Sequence, residues 1–225
     1  MLLPIVQKVT FPAYARLQHD LPALKEAIES SIKWVAASVF PATLFIVVLA
    51  RQIVEHVYGP KWLPGLPSLY LLAIPMLAAS YGTVIVSALY GLGRASRVLR
   101  LTIIWAIAGW GLGAPLTLWL GMHGFALAMC LVAGLSVLPV IELNKVVRIS
   151  FVPQLTRIFF FAGIPAGIVA IFAHHVSNLF ELAGLALAGG TCYLVLMYLG
   201  GELSEMLAML KRRRARVPAV ETADA

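Results

Sequence analysis

Residues 99–141 read LRLTIIWAIAGWGLGAPLTLWLGMHGFALAMCLVAGLSVLPVI, and after Arg100 no Asp, Glu, Lys or Arg occurs until Glu142. A helix of about twenty apolar residues crosses roughly 30 Å of hydrocarbon, whereas a spanning strand needs only about ten. The stretch holds two runs of helical length, Leu99 to Leu120 and Met122 to Ile141, with only Gly121 between them. The reading is a tight antiparallel helical hairpin inside a membrane.

Working outward, four more apolar stretches of similar length flank the hairpin: Trp34 to Val54, Leu66 to Tyr90, Ile158 to Val176 and Leu182 to Gly200. The whole chain is 61% hydrophobic and 12% charged over 225 residues. Soluble domains carry about 25% charged residues, so this much apolar surface has no soluble core to enter. The expected fold class is an all-α integral membrane protein, a six-span helical bundle.

The net charge of +7 follows the loops. Fifteen of the seventeen Lys and Arg residues fall in alternate connections, leaving Arg51 and Lys61 for the other side. The positive-inside rule then places both ends in the cytoplasm and supports an even number of spans. No basic patch interleaved with exposed aromatics is present, so nucleic acid is not an expected partner.

Three regions follow. Residues 1–33 comprise a short apolar piece, Met1 to Val6, that looks like the end of a truncated span, and a cytoplasmic amphipathic helix. Asp20 can cap that helix with Pro22 in its first turn, and Leu24, Ile28 and Ile32 recur at four-residue spacing. Residues 34–200 form the bundle, and residues 201–225 a basic cytoplasmic tail with a disordered end. No cleavable signal peptide is read, because Lys8 follows the apolar piece.

Five spans contain a proline, namely Pro41, Pro75, Pro115, Pro139 and Pro165, each of which removes a backbone hydrogen bond. Transporters use such breaks to bend helices around a cavity, and ordinary bundle packing is the competing explanation. Gly109 with Gly113 and Gly163 with Gly167 have GxxxG spacing, which fits close helix packing. Cys130 and Cys192 lie in separate spans with no metal-ligand partners and read as small packing residues.

No span carries an ionisable residue near its middle, so a proton relay is not visible. Glu142, Glu181, Glu55, His56, His123, His174 and His175 sit at span edges, where solvation suits them. Catalysis needs a positioned acid, base or nucleophile, and His174-His175 with Glu181 is a weak constellation; no enzyme activity, catalytic residue, metal or cofactor is expected. Arg94, Arg97 and Arg100 form a compact basic loop able to bind phosphates, although topology and anionic lipids explain the same arginines. Lys61 and Trp62 sit in the longest exterior loop, where Gly59-Pro60 supports a turn and Trp62 suits the interface.

The motif order resembles the polysaccharide-transporter branch of the multidrug/oligosaccharidyl-lipid/polysaccharide exporter superfamily, the lipid-linked oligosaccharide flippases. Its carriers are Phe11-Pro12-Ala13-Tyr14-Ala15-Arg16-Leu17-Gln18 with Asp20, then Pro41, then Tyr58-Gly59-Pro60-Lys61-Trp62. Gly91-Leu92-Gly93-Arg94 and Gly121-Met122-His123-Gly124-Phe125-Ala126-Leu127-Ala128 complete the series over about the first 130 residues. The resemblance implies a protein of about fourteen spans in two lobes that moves an undecaprenyl-diphosphate-linked sugar by alternating access. This chain would supply the C-terminal six spans, as a fragment or with a missing N-terminal half on another polypeptide.

On that resemblance, Arg94, Arg97 and Arg100 are the nearest candidates for diphosphate or anionic-lipid contact. Lys61 and Trp62 are candidates for the periplasmic mouth, and the last two spans for a prenyl-tail groove. Lipid-linked oligosaccharide, anionic lipids and polysaccharide assembly proteins are the implied partners, in a bacterial inner membrane. A cation-coupled drug exporter of the same superfamily, a membrane-embedded glycan transferase or polymerase, and an inactive truncated product stay open as alternatives.

Overall fold

The computed structural model describes residues 14–150, 152–176, 178–205 and 208. The apolar piece Met1 to Val6, the Phe11-Pro12-Ala13 start of the first motif and the Lys211 to Arg216 tail lie outside them. The described chain runs α1 (Leu21–Val48), α2 (Ala50–Ile53), α3 (Leu66–Gly91), α4 (Ala95–Leu120), α5 (Met122–Ala133), α6 (Val137–Asn144), α7 (Val152–Phe172) and α8 (Leu179–Leu199). Among the described residues, six helical segments are long and apolar enough to cross a membrane, α5 and α6 counting as one.

The lead-in helix and the first span prove to be one continuous helix, α1. Asp20 caps it as the sequence predicts, its Oδ1 accepting from the Ala23 N–H at 3.1 Å. At 28 residues the helix is about 42 Å long, more than the hydrocarbon alone requires. The four-residue stripe of Leu24, Ile28 and Ile32 is fully buried against Val84, Ile85, Leu89 and Leu143. Its apolar face therefore packs inside the bundle and does not lie on the membrane surface.

The Gly121 hairpin is as tight as one residue allows. Gly121 sits at φ +59° and ψ −137°, a backbone region open essentially to glycine. At Gly124 a Cβ would stand 1.8 Å from the Leu116 carbonyl oxygen, so the second arm of the hairpin touches backbone of the first.

The fourth span is interrupted by a 3-10 turn over Gly134–Ser136. Pro139, lacking an N–H, falls in the first turn of α6, where no intrahelical partner is lost. Pro41, Pro75, Pro115 and Pro165 lie inside their helices.

The GxxxG expectation fails within the chain: a Cβ on Gly109, Gly113, Gly163 or Gly167 would meet nothing within 4 Å. Close contacts come from other glycines. A Cβ on Gly189 would stand 2.7 Å from Val169 and 3.0 Å from Phe45, joining α8 to α7 and α1. Spacing alone cannot tell a helix face that meets a neighbour from one that faces outward.

Candidate functional site

At one end of the bundle the basic connections gather. Gly91 and Gly93 make the turn between α3 and α4, with Gly93 at φ +70°. A Cβ on Gly91 would stand 2.8 Å from the Tyr14 Cβ, so Tyr14-Ala15 and Gly91-Leu92-Gly93-Arg94, two separate stretches of the resemblance, are packed on each other. Tyr14 itself is buried in the main core.

The three arginines of this turn are not equivalent. Arg97 Nη1 donates to Glu142 at 2.6 Å, and Lys145 reaches the other oxygen of the same carboxylate. Glu142 is thus a fastener between α4 and α6, where solvation at a span edge was expected. Arg97 is correspondingly engaged. Arg94 precedes α4 and is half-buried, Arg100 is exposed, and neither forms an ion pair among the described residues.

A second charged cluster lies at the same end and was not legible from the sequence. Lys33, counted with the connection cations ahead of the first span, is inside α1 with its side chain 7% exposed. Its Nζ lies 2.5 Å from Glu202 and 3.1 Å from Glu205. Arg157 of α7 approaches Glu202 at 3.4 Å. The chain turns after α8 at Gly201, φ +74°, and carries both glutamates back against α1. A buried ammonium is costly unless paired, and here it has two carboxylates.

At the opposite end, Gly59 at φ +92° starts the 3-10 turn Pro60–Gly65, which carries Lys61 and Trp62. The Lys61 Nζ stands 6.0 Å from the Trp62 ring centroid, and Trp62 is exposed. His123, just past the hairpin turn, is 2.7 Å through Nδ1 from the Ser68 hydroxyl, so it ties the hairpin to α3 instead of serving as a solvated edge residue. Arg51 pairs with Glu55 at 2.9 Å. The two arginine-turn and Lys61–Trp62 groups lie at different ends and form no common pocket.

Among the described residues no group of three or more His, Cys, Asp or Glu could hold a metal ion. Cys130 and Cys192 are free thiols in different helices. Among the described residues, the charged groups brought together are fasteners between helices and surface cations.

The polysaccharide biosynthesis protein family is matched over residues 1–67. Lipopolysaccharide biosynthesis protein WzxC of Escherichia coli (strain K12) is 36% identical over 93 residues, 41% of this chain and 19% of that protein. An uncharacterized membrane protein in the cps region of Klebsiella pneumoniae is 27% identical over 135 residues, 60% of this chain and 28% of that one. Teichuronic acid biosynthesis protein TuaB of Bacillus subtilis (strain 168) is 32% identical over 71 residues, 32% of this chain and 15% of that protein. The chain thus matches less than a third of the length of these relatives.

In fold, the chain is similar to lipid II flippase MurJ in its inward closed conformation, with a TM-score of 0.72 at 15% identity over 88% of this chain and 42% of that one. The motifs, the six spans and these matches agree on a multi-pass membrane protein that resembles the polysaccharide-transporter, or flippase, branch of the multidrug/oligosaccharidyl-lipid/polysaccharide exporter superfamily.

Proposed function

We propose that the chain is part of a flippase that moves undecaprenyl-diphosphate-linked oligosaccharide across a bacterial inner membrane during surface polysaccharide assembly, with no covalent chemistry. The observation carrying this reading is the coincidence of a MurJ-like fold over 88% of the chain with sequence similarity to polysaccharide biosynthesis proteins. Alternating access requires two bundles moving about one site. The remaining spans would come from further sequence or a partner polypeptide.

In this reading the basic end is cytoplasmic, and the C-terminal tail with it, because the positive charges concentrate there. Arg94 and Arg100 carry the phosphate contact, being free of acidic partners among the described residues, while Arg97 joins only by leaving Glu142. Lys61 and Trp62 stand at the periplasmic mouth. Anionic lipids compete for the same arginines.

Deleting the coding region in its host tests the proposal. Surface polysaccharide should fall, and the full coding region supplied in trans should restore it. Alanine at both Arg94 and Arg100, with normal membrane insertion, should lower export several-fold. Unchanged export in that variant would remove the phosphate-contact assignment.

A further inference from the structure

The end of the bundle opposite the arginine turn contains a cleft of about 440 Å³ between the end of α1, the first turns of α3 and the end of α7. Arg51, Gln52, Glu55, Tyr70 and His174 supply its polar lining, and Val48 and Ala173 are among its apolar wall residues. Each contributing element is at a span end, so the cleft sits at interfacial depth. The exposed Tyr58 and Trp62 belong to the same end, where amphipathic aromatics favour the headgroup level.

Its charges are balanced, unlike those of the basic end. Arg51 and Glu55 form one i, i+4 pair, with side chains 67% and 32% exposed. Such an exposed pair contributes well under 1 kcal/mol and re-partners easily. Gln52 donates from Nε2 to the Ala173 carbonyl at 3.0 Å, which fixes its amide and leaves Oε1 buried in the wall without a hydrogen-bond partner. A guanidinium matches a phosphate in bidentate geometry, and a carboxylate four residues on offers acceptors to a primary ammonium, a triple donor.

We propose that this cleft is a binding site for a zwitterionic phospholipid whose headgroup carries a phosphate and a primary ammonium, with phosphatidylethanolamine as the fitting class. The phosphate rests on Arg51, the ammonium on Glu55, and the upper acyl carbons against Val48 and Ala173. A lipid of net negative charge would leave Glu55 opposed by a second anion. The site is independent of what the protein transports.

Native mass spectrometry of the full chain released from detergent, with phosphatidylethanolamine or phosphatidylglycerol of identical acyl chains, tests the assignment. The expected result is a several-fold preference for phosphatidylethanolamine. Glu55→Gln should reverse it towards phosphatidylglycerol by freeing Arg51 for an anion, and Arg51→Gln should weaken both lipids. Arg51 is exposed and Glu55 partly so, and folding is retained in both variants, which circular dichroism checks. Equal binding of the two lipids, or a preference unchanged in both variants, overturns the proposal. Retained binding of maltose that depends on Tyr70 and excludes lipid also overturns it, in favour of a sugar subsite.

Discussion

Replacing Lys33 by Met isolates the least expected contact in the bundle. The two side chains are of similar length, so packing is largely conserved while the ammonium is lost. Glu202, 5% exposed, is then left with Arg157 at 3.4 Å, whose own side chain is 71% exposed. Removing one partner of a buried pair costs about 3–5 kcal/mol, and the residual arginine argues for the lower figure. At roughly 2–4 °C per kcal/mol for a chain of this size, the midpoint of thermal unfolding should fall by about 6–12 °C.

Lys33→Met with Glu202→Leu should recover most of that loss, to within about 1 kcal/mol of the parent, because no buried charge then lacks a partner. Glu205 is 62% exposed and tolerates losing Lys33. Tryptophan fluorescence during heating in detergent micelles measures all three proteins. A single variant within about 1 kcal/mol of the parent, or a double variant as unstable as the single, would refute the burial argument.

Other perturbations follow from the same geometry. Gly124→Val places side-chain atoms inside the Leu116 backbone and should abolish accumulation of folded protein, read as monodisperse yield in detergent. Gly121→Ala should cost about 1–3 kcal/mol for its backbone conformation alone, seen as a lowered thermal midpoint. Ser68→Ala should leave His123 without its 2.7 Å partner and cost about 1 kcal/mol by the same assay. With Cys130 and Cys192 replaced by Ala, a cysteine introduced at Lys61 should react with an impermeant maleimide in intact cells. One introduced at Arg100 should react only after permeabilisation, and the opposite pattern would reverse the proposed topology.

The spans were readable because length and hydropathy alone define them, and the hairpin because one residue separates two complete spans. Asp20 was readable as a cap because capping is local. What escaped the sequence was long-range pairing. Lys33 looks like a loop cation until the turn at Gly201 brings Glu202 back across the bundle. Glu142 and His123 looked solvated for the same reason, Arg97 lying 45 residues from the one and Ser68 55 from the other.

Glycine spacing misled where contact with a neighbouring helix decides. Gly109 and Gly113 have the motif spacing but face nothing within 4 Å, whereas Gly91, with no such partner, admits Tyr14. The arginine turn was legible as a cluster of basic residues from composition alone. Its division into an engaged Arg97 and, among the described residues, an Arg94 and Arg100 without ion pairs required the position of Glu142.

The most direct test of the transport proposal is the leaflet distribution of the lipid-linked oligosaccharide in cells lacking the coding region. Accessibility of its sugar to an impermeant glycosidase is measured in spheroplasts and, for comparison, in inverted membrane vesicles. The account predicts that the sugar becomes inaccessible in spheroplasts, accumulates on the face exposed in inverted vesicles, and returns to the outer face when the full coding region is restored. An outer-leaflet fraction equal to that of the parent strain, with normal surface polysaccharide, would contradict it.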